Sequence, residues 1–175
     1  FGLEQVAPAG RRGQLLAREN LGVVGEAERA GIDADCLVAG LLRLALRPNT
    51  RLIVTNFPHN PTGAQPTRAE FDVIAQLAAS RSAYWLSDEV YRFLEYAPAD
   101  RLPAAADVYE RGISIGAMSK SFAMAGLRIG WAVSRDATFM SRLQHYKDFT
   151  TICNSAPSEI LAALGMSTET KPGLM

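Results

Sequence analysis

The sequence predicts an α/β protein: a mostly parallel sheet with one antiparallel strand and helices on both faces. Three observations carry that expectation. Two short β-branched or aromatic runs, residues 51–56 and 83–87, flank an amphipathic stretch that opens with a helix-capping signature. A strand–helix–strand unit of this kind normally makes a parallel crossover. Two further strand-like runs, 112–116 and 128–134, are joined by residues 117–127, fewer than the dozen or more that a helical crossover needs. Those two strands are therefore expected to be antiparallel neighbours.

The elements follow in order. Residues 1–34 are rich in Gly and Arg and define no element. Asp33 or Asp35 is placed to cap a helix over residues 36–46, stopped at Arg47 and Pro48 because proline pushes the preceding residue out of helical space. Residues 51–56 are bounded by turn formers and read as a buried strand. Thr67 and Glu70 form a capping box, and Phe71, Ile74, Leu77 and Ala78 follow at helical spacing, so a helix ends near Arg81. Residues 83–87 are the second strand, with Tyr84 and Trp85 expected in the core. A Pro/Ala loop at 100–106 leads into a short helical piece near 107–110. Helices over 136–146 and 157–164 close the pattern, with His145 near a helix C-terminus, where it suits the dipole. Cys153 reads as a packed small residue.

Composition narrows the function classes. The 175 residues suit about one domain. Eighteen Lys and Arg balance eighteen Asp and Glu, which argues against a polybasic nucleic-acid or membrane-surface binder. A hydrophobic content of 48% excludes wholesale disorder. Cys36 and Cys153 form no disulfide framework, and with His59 and His145 they show no metal-ligand spacing. No run approaches the roughly 18 apolar residues of a membrane span. A cytoplasmic protein is expected, with no nucleic acid, no membrane and no metal.

Four segments stand at the C-terminal ends of strands or in the loops beyond, where open α/β sheets bind ligands. Asn60-Pro61-Thr62-Gly63 follows the first strand; taken alone it is a good turn. Ser87-Asp88-Glu89-Val90-Tyr91 follows the second. A carboxylate there suits a metal, a ribose, a cationic ring nitrogen or simply a helix cap. Ser119-Lys120-Ser121 follows the third and lies among Ala117, Met118, Phe122, Ala123 and Met124. Burial in that apolar setting would make the Lys120 amine nucleophilic, as a Schiff-base lysine requires. Arg128, eight residues on, is a guanidinium fork for a phosphate or a partner for a surface carboxylate.

In this order and spacing the four segments resemble the class I/II family of pyridoxal phosphate-dependent aminotransferases, the fold type I enzymes. The resemblance runs from about residue 50 to 165, and the stretch 151–159 also looks like the family's segment beyond the returning strand. It implies pyridoxal 5′-phosphate as cofactor, held as a Schiff base on Lys120, whose freed amine then shuttles the proton. By the same resemblance Asp88 sits against the ring nitrogen, Asn60 and Tyr91 bond the ring's phenolic oxygen, and Ser119 and Arg128 hold the phosphate. Ala117 departs from the family, whose residue three before the lysine is commonly Ser or Thr and helps bind phosphate. The implied substrates are an amino acid and a 2-oxo acid, and the implied parent is a homodimer.

Members of the family are considerably longer. The resemblance makes residues 1–165 a partial cofactor-binding large domain and 166–175 a tail resembling nothing in the family. Other fold type I chemistry (β-lyase, decarboxylase, acyltransferase, amino-acid cyclase) reuses the same residues, and an inactive truncated fragment is a further alternative. A nicotinamide enzyme needs a G-x-G-x-x-G turn, and Gly22 to Gly25 lacks that spacing. A Ser119–Lys120 hydrolase dyad is disfavoured because adjacent residues on an extended segment point to opposite sides.

Overall fold

The computed structural model describes residues 37–167. Helix α1, Leu37–Ala45, ends before the Arg47-Pro48 stop. Its expected caps, Asp33 and Asp35, lie outside the described residues, as do the early Gly-rich stretch and the tail from residue 168. Strand β1 is Leu52–Asn56, helix α2 Arg68–Ser80 and strand β2 Tyr84–Asp88. The capping box is present: the Thr67 hydroxyl accepts from the Glu70 amide, and the Glu70 carboxylate accepts from the Thr67 amide at 2.8 Å. Two otherwise orphaned helix-end donors are thereby satisfied.

β1 and β2 pair in parallel, with Ile53 opposite Trp85 and Asn56 opposite Asp88. Alternation along the strands sets the two faces of the sheet. Ile53 and Trp85 point to α2, which buries Phe71, Ile74 and Ala78 against them. The Phe71 and Trp85 rings meet at 4.7 Å between centroids, and the Trp85 indole donates to the Thr55 hydroxyl at 2.9 Å. The indole thus buries its apolar body without stranding its N–H.

The short helix α3, Ala105–Val108, leads into β3, Gly112–Ala117, which lies parallel to β2. Its approach is close: a Cβ on Gly112 would collide with the Ala105 carbonyl. β4, Gly130–Ser134, runs antiparallel to β3, so the sheet order is β1-β2-β3-β4. Trp131 on β4 lies over Gly116, where any side chain would strike the indole.

Helix α4, Ala137–Asp148, packs on the face opposite α2. Asp136 caps it by accepting from the Phe139 amide at 2.9 Å, and the Tyr84 hydroxyl donates to the other Asp136 oxygen at 2.7 Å. Tyr84 is therefore half-buried rather than a core residue, with its ring against Phe139 at 5.4 Å. The Tyr84 hydrogen bond holds the Asp136 carboxyl below its usual range, and the same bond pushes the Tyr84 phenol up. Helix α5, Ala156–Gly165, closes a second cluster in which Ala162 meets Met118 and Phe122. Cys153 is exposed, contrary to the packed role expected of it, because it lies on the open linker between α4 and α5.

Candidate functional site

β1 and β2 end side by side, and that edge carries the candidate site. The Asn56 amide donates to Asp88 Oδ2 at 3.0 Å, and the Val90 backbone amide donates to Oδ1 at 3.1 Å. The Phe57 amide donates to the Asp88 carbonyl at 3.1 Å, which extends the ladder one step past the strand. Asp88 shares the α4-facing side of β2 with Tyr84 and Leu86. Each carboxylate oxygen accepts one intramolecular bond, so lone pairs remain for a further donor.

The Asn60 backbone amide reaches Asn56 Oδ1 at 3.4 Å, so the Asn-Pro-Thr-Gly turn is tied to the residue that holds Asp88. Gly63, at φ +68°, provides the left-handed step of that turn. The side chain of Asn60 is exposed.

After Asp88 the chain makes a tight turn anchored by Glu89. Its amide donates to the Ile115 carbonyl at 2.8 Å, and its buried Oε1 accepts from the Ala105 amide and the Ser114 hydroxyl, both at 2.9 Å. Arg92 pairs with the other oxygen at 3.4 Å. A buried carboxylate is tolerated where it is paired and hydrogen-bonded in this way. The motif contained Glu89, but its anchoring role was not legible, since its partners lie 16 and 25 residues away.

Lys120 lies in a turn beyond β3, with Nζ 5.7 Å from the centroid of the half-buried Tyr91 ring. That is within cation–π reach. Two expectations fail here. The lysine is exposed rather than buried: Met118 and Phe122 turn inward, and the tight turn sends Lys120 outward. Ser119 and Lys120 also do not lie on an extended segment, so alternation is not what separates them.

Ser119 is half-buried in the same turn. Arg128 occupies the left-handed region at φ +56° just before β4, exposed, with its guanidinium donating to the Ala125 carbonyl at 3.0 Å. The structure thus joins the Asp88 turn to the Lys120 turn through Tyr91. It leaves Asn60 and Arg128 at the exposed rim. A cavity of about 240 Å³ opens beside these turns, lined by Glu89, Phe93, Phe122 and Trp131 among others. Asn60, Asp88, Tyr91, Ser119, Lys120 and Arg128 all lie outside its lining, so that hollow is not where the candidate chemistry gathers. Among the described residues, no three His, Cys, Asp or Glu side chains are grouped as a metal site, and no helix is long and apolar enough to cross a membrane.

Comparison with known proteins adds independent information. Residues 24–172 match the family model described as aminotransferase class I and II. The chain is 35% identical over 140 residues to a probable N-succinyldiaminopimelate aminotransferase of Mycobacterium tuberculosis, covering 79% of this chain and 34% of that protein. It is 39% identical over 92 residues to an arginine–pyruvate transaminase of Pseudomonas aeruginosa, covering 50% and 23%. Among solved structures, the N-succinyldiaminopimelate aminotransferase of M. tuberculosis superposes with a TM-score of 0.69 at 35% identity, over 75% of this chain and 34% of that one. A PLP-dependent aminotransferase from Streptococcus suis gives 0.65 at 35% identity, over 71% and 32%. The chain spans only part of the length of these relatives, 34% of the first and 23% of the arginine–pyruvate transaminase.

Proposed function

The chain belongs to the class I and II aminotransferases, and from that premise we propose that it is the pyridoxal 5′-phosphate-binding part of an enzyme that moves an amino group between an amino acid and a 2-oxo acid. The observation that carries the reading is the meeting of two turns at one sheet edge. Asp88 is held by Asn56 with acceptor capacity to spare, and three residues on Tyr91 faces Lys120. That donor set fits the cofactor: a carboxylate for a cationic ring nitrogen, a phenol for a phenolate, an accessible primary amine for an aldehyde, and an exposed guanidinium for a phosphate.

When bound, the cofactor supplies an electron sink for the electron pair released at the substrate's α-carbon. Asp88 would keep the proton on the ring nitrogen, because a fixed carboxylate favours the cationic form of its partner. Lys120 Nζ would be the nucleophile that holds the cofactor through its aldehyde group. The same amine, when free, would be the base that accepts the substrate's α-proton and the acid that gives it back. Asn60 and Tyr91 would donate to the phenolic oxygen. Ser119 and Arg128 would bind the phosphate; Ala117, opposite Gly130 at the end of β3, offers no hydroxyl to help.

In this reading residues 1–165 form part of the large domain; the family match runs on to residue 172, into the stretch 166–175 that the sequence sets apart as a tail. The parent is a cytoplasmic homodimer acting on small molecules. The test is to incubate the purified chain with pyridoxal phosphate, reduce with borohydride and map the peptides. A visible absorption band and a label on Lys120 are expected. Absence of both, with the chain folded, would overturn the cofactor assignment.

A further inference from the structure

We propose that Ser121 is a positioning residue: it clamps the lysine turn to the aspartate turn and so sets Lys120 against Tyr91. The inference rests on the reading above, in which Lys120 and Tyr91 serve one site.

Ser121 follows Lys120 directly and is 8% exposed. Its hydroxyl donates to the Val90 carbonyl at 3.1 Å and also meets the Arg92 carbonyl. These are the two carbonyls on either side of Tyr91. A hydroxyl has one proton, so the two acceptors share it. The partners are 31 and 29 residues away, which makes this a tertiary tie between the two turns rather than a local turn bond.

Lys120 is exposed, so packing does not fix its long side chain, and its place is inherited from the backbone at 118–122. That backbone is held on the sheet side by the Met118 amide, which donates to the Ile129 carbonyl at 3.1 Å. On the other side it meets the aspartate turn in two ways. The rings of Phe122 and Phe93 touch edge-on at 6.3 Å, an apolar contact that tolerates sliding. The Ser121 hydrogen bond is directional and short-ranged, so it sets the register of one turn on the other. The Lys120–Tyr91 approach of 5.7 Å is the consequence.

The test uses the full chain without and with pyridoxal phosphate. In the cofactor-free wild type, NMR should show cross-relaxation between the Tyr91 ring and the Lys120 ε-methylene, with a ring-current shift on the latter. Ser121→Ala should abolish both while the Trp85 and Phe71 resonances stay in place. Ser121→Thr, which keeps the hydroxyl, should restore them. With cofactor, Ser121→Ala should raise the dissociation constant about tenfold, the equivalent of one buried hydrogen bond, and Ser121→Thr should bring it back. If Ser121→Ala does not fold, Ser121→Cys, a near-isostere with a weak donor, should weaken the contact partway. Survival of the full contact in Ser121→Ala, or in Ser121→Cys where that variant replaces it, overturns the clamp, as does its absence from the wild type. Should the contact respond as stated while borohydride leaves Lys120 unlabelled, the clamp stands and the cofactor assignment falls.

Discussion

Asn56 and Asp88 are register partners at the ends of two parallel strands, and the side chain of one donates to the side chain of the other at 3.0 Å. A cross-strand pair at this position does two things. It stops the carboxylate from rotating toward solvent, and it commits one oxygen while leaving the other near the Val90 amide. Asn56→Ala should therefore lower affinity for pyridoxal phosphate about tenfold, the loss of one hydrogen bond to a charged group. Asn56→Asp should be worse, since two carboxylates at that separation repel. Titration of the cofactor's visible absorption reads both.

Lys120 separates function from stability. Because it is exposed and meets Tyr91 only at cation–π range, Lys120→Ala should change unfolding free energy by no more than about 1 kcal/mol. The same variant should abolish borohydride labelling. Urea denaturation alongside peptide mapping checks both; a large loss of stability would mean that the lysine is structural.

Glu89 should behave in the opposite way. Glu89→Ala leaves the Ala105 amide and the Ser114 hydroxyl without their buried acceptor, at a cost of about 2–4 kcal/mol. Glu89→Gln keeps an oxygen there and should cost less. Midpoints of urea unfolding, compared at constant slope, rank the two.

Gly112 is a test of packing. Gly112→Ala drives a methyl into the Ala105 carbonyl, a backbone atom that cannot swing aside. The expected cost is about 1–3 kcal/mol, the usual range for overpacking, again read by denaturant unfolding.

The Tyr84–Asp136 bond makes stability depend on pH at both ends. Asp136 has a lowered folded pKa, so its contribution is fully present above the ordinary carboxylate range and is lost as pH falls through the lowered value. Tyr84 has a raised one, so its contribution is full below the ordinary tyrosine value of about 10 and is lost as pH rises through the raised value. Thermal melts across pH should show both shoulders in the wild type. Asp136→Asn should flatten the acid one, and Tyr84→Phe the alkaline one.

Much of this was legible in the chain because its causes are local. The Thr67 capping box, the strand through Trp85 and the shortness of 117–127 each act within a few residues, and each appears in the structure as expected. Lys120 marks where local inference failed. Its neighbours are apolar, but in a tight turn adjacent side chains diverge, so apolar company in sequence did not mean burial. Cys153 failed for a related reason: a small residue packs only if something folds over it.

The sequence by itself determined the α/β order, the reversed fourth strand and the identity of the groups at the strand ends. Periodicity, capping and turn chemistry operate over one or two turns of chain and need no distant partner. Only the tertiary structure decided that Asn56 holds Asp88, that Glu89 is anchored by Ser114 and the Ala105 amide, and that Ser121 bridges the carbonyls flanking Tyr91. Those bonds join residues 16 to 32 positions apart. Their geometry depends on how strands and turns are stacked, which no local pattern encodes.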